Sequence, residues 1–348
     1  MDSLTQAVLG GAAGGAVLGR PLGRKAVLLG AALATLPDLD VLINYGDAVS
    51  NFTQHRGFSH SLLVLTGLSL LLTPMARRWR SDISAGRWLA YFLLVFLTHP
   101  LLDAFTTYGT QLWWPFGGPV SWNGVFIIDP LYTLPLLIAV LVGLWRPMWQ
   151  WLYVTGLVLS SLYLAWGMTA QQLMLQRVQP LLEEHQWQDA PRLIQPMPFT
   201  TFLWRVTVIA EDQQVEIITG VFDPDPAPVV QPLFRDHQTL TLARRFEATT
   251  ELEQFTGGFI AAYINPRAAG AQLVVKDIRL GLPGAYPFHF VVAEKQAGEW
   301  QAVTPYRLDR PMINPQAWPA LWQRMLGRKP VLCMESFIVV DSLQQCHS

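Results

Sequence analysis

Cysteine is nearly missing from this chain: there are two in 348 residues, Cys333 and Cys346. That excludes a disulfide-stapled scaffold and a cysteine-ligated zinc ribbon, so any metal must be held by histidines and carboxylates. The two thiols could pair with each other outside the cytoplasm, but Cys333 lies in an apolar run and fits a buried thiol equally well. Charge is scarce too. Charged residues make up 14% of the chain, against roughly 25% in soluble globular proteins. A formal net charge of −1 gives no electrostatic case for a nucleic-acid partner. Also lacking are a GxSxG nucleophile elbow, an HExxH helix and a phosphate-cradling glycine loop.

What the chain has in abundance is apolar sequence, 51% by count. In the first half it is arranged in stretches near the ~20 residues needed to cross a bilayer. Residues 4–19, 26–43, 58–76, 88–105, 125–145 and 148–175 predict six transmembrane helices. The first is short and built on small residues. Gly10, Gly14, Gly11, Gly15 and Gly19 fall in overlapping GxxxG spacings that let helices approach closely. No basic segment precedes it, so it reads as a retained helix and not as a cleaved signal.

Basic residues in short loops set the orientation, because cytoplasmic loops carry the excess. Arg20, Arg24 and Lys25 follow the first segment, Arg77, Arg78, Arg80 and Arg87 the third, and Arg146 the fifth. The intervening loops 44–57 and 106–124 hold only Arg56. An even number of crossings then places both termini on the extracytoplasmic side of a plasma membrane.

Ionisable residues collect at that same outer end: Asp38 and Asp40, His55 and His60, His99 and Asp103, with Asp129 opening the fifth segment. Such groups are costly near hydrocarbon unless paired or metal-bound. His99 and Asp103, at i and i+4, share a helix face and can share a metal. Pro100 interrupts the backbone ladder beside them. Pro37 precedes two carboxylates, Asp38 and Asp40, at a helix break. In the run 55–61 the two imidazoles are five apart, but Gly57 can turn the chain so that both point inward. The plain alternatives are a His–Asp staple between helices, a solvated helix end, and a surface His55 beside a capping Ser59.

Three imidazoles among carboxylates favour a divalent transition metal, zinc first, with manganese or iron as alternatives. The expected ligands are Asp38, His55, His60, His99 and Asp103. They outnumber the ligands of one catalytic zinc, so some must orient others or move protons. Asp40 or Asp129 is the expected general base, Arg56 has a planar fork suited to an anionic substrate group, and Thr106, Thr107 and Tyr108 would donate hydrogen bonds to it.

The opening MDSLTQ, the PDLD at 37–40, the HRGFSHS at 55–61, the THPLLDAFTTYGTQLWWPF at 98–116 and the IDPLYTLPL at 128–136 resemble a bacterial inner-membrane family, YdjM/YbcI-like, described as LexA-binding and as metal-dependent hydrolases. The resemblance implies a membrane-embedded hydrolase. Some members carry His where this chain has Gln6, which here could instead orient a water.

After about residue 179 the character changes. Pro-rich stretches and short alternating runs predict strands at 200–210, 215–222, 238–246, 272–280 and 287–293, and an amphipathic helix at 315–326. The expected architecture is therefore an α-helical integral membrane bundle over 1–178 and a small α+β extracytoplasmic domain over 179–348. His185, His237, His289 and His347 are scattered through the latter and read as ordinary surface or core histidines. Trp113, Trp114 and Trp122 read as an interfacial belt.

The reading that joins these features is a metal-dependent hydrolase at the outer membrane boundary, its partners the lipid bilayer and a lipid or lipid-linked ester, phosphoester or amide. A metal- or proton-coupled transporter and a non-catalytic protein with a structural polar cluster are the alternatives.

Overall fold

The computed structural model describes residues 1–146, 149–210, 213–223, 230–268, 270–309, 312–328 and 337. Cys333 and Cys346, and with them the question of a bridge, lie outside the described residues. The chain forms two compact units that interleave along the sequence. The first comprises Met1–Ile43, His55–Thr169 and Pro198–Thr201, and the second Asn44–Gln54, Ala170–Met197 and Phe202–Ser348.

Chain order begins with α1 (Ser3–Leu22) and α2 (Arg24–Ala34), joined through Gly23 at φ +58°, a left-handed turn that glycine adopts without strain. Small residues set the spacing of this hairpin. A Cβ on Gly10 would stand 2.5 Å from the Gly30 carbonyl oxygen, and one on Gly14 would stand 2.5 Å from that of Ala26. The GxxxG pattern thus brings α1 and α2 into close contact. After α2 the backbone tightens into a 3-10 turn, Pro37–Leu42. Then come α3 (Ala48–Gln54, in the second unit), a second 3-10 turn Phe58–His60, α4 (Leu62–Trp79), α5 (Ala85–Ala104), α6 (Pro130–Trp145) and α7 (Gln150–Glu184).

Each predicted segment contains a helix, and the expected six crossings are met in part. Among the described residues two helices, α5 and α7, are long and apolar enough to cross a membrane, or three if α4 is taken together with the segment before it. The physical reason is length and composition. The 11 residues of α2 rise about 17 Å and the 16 of α6 about 24 Å, short of a hydrocarbon core of ~30 Å. Helix α1 has 20 residues but is diluted by glycine.

Two apolar clusters fill the first unit. Leu18, Ala26, Trp88, Tyr91, Phe92 and Phe96 form one; Leu9, Ala12, Leu136, Val140 and Tyr153 form the other. Outward-facing Leu134, Ile138 and Leu141 on α6, and Val154, Val158 and Leu162 on α7, remain exposed, as a lipid-facing surface requires.

The second unit is mostly β where a small α+β domain was expected. Strands β1 (Arg192–Pro196), β2 (Leu203–Ala210), β3 (Gln213–Gly220) and β4 (Val230–Phe234) form one antiparallel sheet in sequence order. Strands β5 (Ile260–Arg267), β6 (Gly270–Asp277), β7 (His289–Gln296) and β8 (Glu299–Arg307) form another. Helices α8 (His237–Ala243) and α9 (Glu247–Thr256) lie between the two sheets in sequence, and α10 (Ala317–Met325) follows. The strand expected at 238–246 is instead α8. Asp236 caps it, accepting from the Thr239 N–H at 2.9 Å and the Thr239 hydroxyl at 2.6 Å, a start signal that the alternating pattern masked. Inside the first sheet Arg205 and Glu216 form a buried bidentate pair, at 2.7 and 2.5 Å.

Candidate metal centre

Four side chains from three places in the sequence meet in the first unit. Asp38 comes from the first 3-10 turn, His60 from the second, and His99 and Asp103 from the last turns of α5. Their inward atoms are evenly spaced. His60 Nε2 lies 3.1 Å from His99 Nε2, 3.3 Å from Asp103 Oδ2 and 3.5 Å from Asp38 Oδ1. His99 Nε2 lies 3.4 Å from Asp38 Oδ1 and 3.6 Å from Asp103 Oδ2. A tetrahedral metal with N and O ligands at about 2.0–2.1 Å needs donors about 3.3–3.4 Å apart, close to these five separations, and all four donor atoms lie within 4.8 Å of one another.

The hydrogen bonds behind the imidazoles point the same way. His99 Nδ1 is 2.5 Å from the Ala34 carbonyl oxygen, which can only accept, so Nδ1 carries the proton and Nε2 presents its lone pair. Ser59 donates its hydroxyl proton to Asp40 Oδ2 at 2.7 Å, which leaves its oxygen to accept from His60 Nδ1 at 2.9 Å. Both rings are therefore held in the tautomer that aims a lone pair at the centre, as metal-ligating histidines require. Asp103 Oδ2, turned inward and buried, accepts no hydrogen bond. It lies 3.3 Å from both Arg56 Nε and His60 Nε2 without a hydrogen bond to either, which leaves its lone pairs available to a cation.

The other expected site residues occupy distinct places. Asp40 gathers three donors: His55 Nδ1 at 2.7 Å, the Arg56 N–H at 2.9 Å and the Ser59 hydroxyl. His55 is turned to that carboxylate and lies outside the four-residue group, its side chain 25% exposed. Arg56 sits at φ +62°, and its buried guanidinium is directed at Asp103 Oδ2 (3.3 Å) and stacked on Tyr108 (5.0 Å). Thr106 donates to the Asp103 carbonyl at 2.7 Å and lies 3.4 Å from Arg56 Nη1, while Thr107 is half-buried in the following turn. The structure does not bring Asp129 to the cluster. It caps α6, accepting from the Leu131 and Tyr132 N–H groups and, at 3.0 Å, from Tyr163.

Sequence reasoning gave no functional role to Ser59, the Ala34 carbonyl or the Met1 amino group, which is buried in an ion pair with Asp103 Oδ1. Gln6, expected to orient a water, instead donates its amide to Asp103 Oδ1 at 3.0 Å. Only the Ser59–His60 adjacency carried a hint.

Of the four, His60, His99 and Asp103 have fully buried side chains, whereas Asp38 is 21% exposed. The centre is thus closed on three sides and reachable past Asp38. The phenyl ring of Phe58 and the side chains of Leu39, Val41 and Leu42, next to these residues in sequence, are exposed apolar groups.

Comparison with known proteins bears on the whole of this centre. Inner membrane protein YbcI of Escherichia coli (strain K12) is 38% identical over 103 residues, covering 28% of this chain and 59% of that protein. This chain therefore spans a little under two thirds of its relative's length. No solved structure matches. The model of the YdjM inner membrane protein family matches residues 1–174, half of the chain and every residue of the centre, and the chain belongs to that family.

Proposed function

We propose that this protein is a metal-dependent hydrolase of the inner membrane, with its centre and β-rich unit at the extracytoplasmic face, acting on an ester, phosphoester or amide of a lipid or lipid-linked molecule. The observation that carries this reading is the asymmetry of the donor set. A structural metal is closed on all sides by protein, whereas a catalytic one keeps a position open to water or substrate. Asp38 is the single partly exposed donor, on a short turn, and is the one positioned to give way to a substrate group.

A divalent metal held by His60, His99, Asp103 and Asp38 would supply Lewis-acid polarisation of the scissile group and activation of water. The chain's own residues do the positioning. Arg56 and Gln6 hold the Asp103 carboxylate in place from opposite oxygens. Asp40, through Ser59, fixes the tautomer of His60. His55, oriented by Asp40 and partly exposed, is placed to exchange protons with solvent beside the opening. The exposed apolar side chains of the 37–42 turn and of Phe58 favour an amphiphilic substrate.

The test is a turnover screen of the detergent-purified protein against short-chain ester, phosphoester and amide lipids, with and without chelator. Turnover of one class that chelator abolishes and a divalent metal restores supports the reading. Stoichiometric metal with no turnover of any class would favour a structural or transport centre.

A further inference from the structure

The chain between two of the metal donors passes through the second unit. It leaves the first unit after Ile43 and re-enters it at His55, and Asn44–Gln54 belong to the second. Asp38 and Asp40 precede this excursion; His55, Arg56 and His60 follow it. Its base is tied in the first unit by Asp40, which accepts from His55 Nδ1 at 2.7 Å and from the Arg56 N–H at 2.9 Å. Its head carries α3, capped by Asp47, which accepts from the Val49 and Ser50 N–H groups at 2.8 and 3.0 Å.

The seven residues of α3 are too few for a helix that stands by itself. The second unit orders them. The buried ring of Phe52 packs against three others, its centre 5.4 Å from that of Phe255 on α9, 4.6 Å from Phe288 and 5.4 Å from Phe290 on β7. Beside it the buried Thr53 donates its hydroxyl to the Glu251 carboxylate on α9, and the Ser50 hydroxyl lies 3.4 Å from the other oxygen of that carboxylate. Immediately downstream Arg56 sits at φ +62°, a conformation that a non-glycine residue keeps only where its surroundings enforce it. Asp40 holds that backbone from one side, and the anchored helix, ending at Gln54, fixes the chain that enters it.

We infer that the second unit is a positioning element for the metal centre, with Phe52, Thr53 and Glu251 as its positioning residues: by gripping α3 it holds the loop that joins the Asp38 turn to the His60 turn, and with it the placement of His60 against Asp38. This role rests on the four-donor centre described above, though not on the reaction proposed for it. With its head released, the loop would have to be closed at Asp40 against its own conformational entropy. By linkage, metal binding and the seating of α3 favour one another.

The test compares the full wild-type chain in neutral detergent with Phe52→Ala, Phe52→Leu and Thr53→Val, the last keeping its shape while losing the bond to Glu251. Hydrogen exchange of the chelator-treated protein, followed by mass spectrometry, should show residues 55–61 exchanging at least about tenfold faster in Phe52→Ala, and faster in Thr53→Val, with Phe52→Leu close to wild type. Unchanged exchange in β2 and β3 shows that the variants remain folded; where Phe52→Ala does not fold, Thr53→Val carries the comparison. Zinc affinity, read by competition with a chromophoric chelator, should fall by about 10–100-fold in Phe52→Ala and largely return in Phe52→Leu. Unchanged exchange at 55–61 in the folded variants, or unchanged zinc affinity where the wild type binds zinc, overturns the inference. No zinc uptake by the wild type, together with faster exchange in the variants, removes the metal reading and leaves the grip on the loop standing.

Discussion

His60 Nε2 and His99 Nε2 face one another at 3.1 Å, each with its opposite ring nitrogen committed as a donor. Two lone pairs at that distance repel unless a cation lies between them. The two rings come from segments 39 residues apart, so the contact is a product of the fold.

The same contact makes the residues behind it testable. Ser59→Ala removes the link between Asp40 and His60 without touching a ligand. The expected outcome is metal affinity weakened by about 10–100-fold at unchanged thermal stability, read by competition with a chromophoric chelator. Unchanged affinity would mean that His60 is oriented by packing alone.

Asp38 should behave unlike the other three donors. Asp38→Asn is expected to keep bound metal with moderately reduced affinity while turnover is lost, and cobalt substitution should show a changed visible spectrum as the fourth ligand changes. If this variant loses metal as completely as His99→Ala, the centre is a closed four-ligand site.

The α1–α2 hairpin depends on the absence of a side chain. Gly14→Leu would drive a Cβ into the Ala26 carbonyl and is expected to destabilise the first unit by about 1–3 kcal/mol or more, seen as a lower Tm in detergent. Gly86→Ala, with open space around it, should leave Tm unchanged or slightly raised.

In the second unit, Glu216→Ala leaves Arg205 buried without its partner. A cost of about 3–5 kcal/mol is expected, measurable by chemical denaturation. A loss below about 1 kcal/mol would show that the Ile278 and Arg279 carbonyls, which also accept from Arg205, suffice.

His289 adds a pH dependence. Its imidazole stays neutral in the folded chain down to about 4, whereas in the unfolded chain it takes a proton below its ordinary 6.5. The unfolded state therefore binds the extra proton, and stability falls as pH drops from 6.5 to 4, by up to about 3 kcal/mol. His289→Gln should flatten that part of the stability curve; an unaltered slope would contradict the assignment.

Much of the centre was legible in the sequence because hydrocarbon leaves few reasons for His and Asp at matching segment ends. Asp38, His60, His99 and Asp103 stood out on that ground alone. What was not legible was the difference between touching the metal and holding those that touch it. His55 and Asp40 are the same residue types as His60 and Asp38, and only the turn geometry around Arg56 separates their roles. The fold was read better by period than by length: six apolar segments contain helices, yet the break after Ala34 and the short α6 are fixed by tertiary packing. In the second unit β2, β3, β6 and β7 showed their alternation. Strands β1, β4, β5 and β8 carry prolines or polar residues that blurred theirs.

The central claim is that four side chains hold one divalent ion, and metal content tests it most directly. Elemental analysis of the detergent-purified protein should find about one transition metal per chain, with zinc expected first, and His60→Ala, His99→Ala and Asp103→Asn should each abolish it while the chain remains folded. A folded wild-type chain that retains no metal after growth in metal-replete medium, and takes up none on titration, would contradict the account.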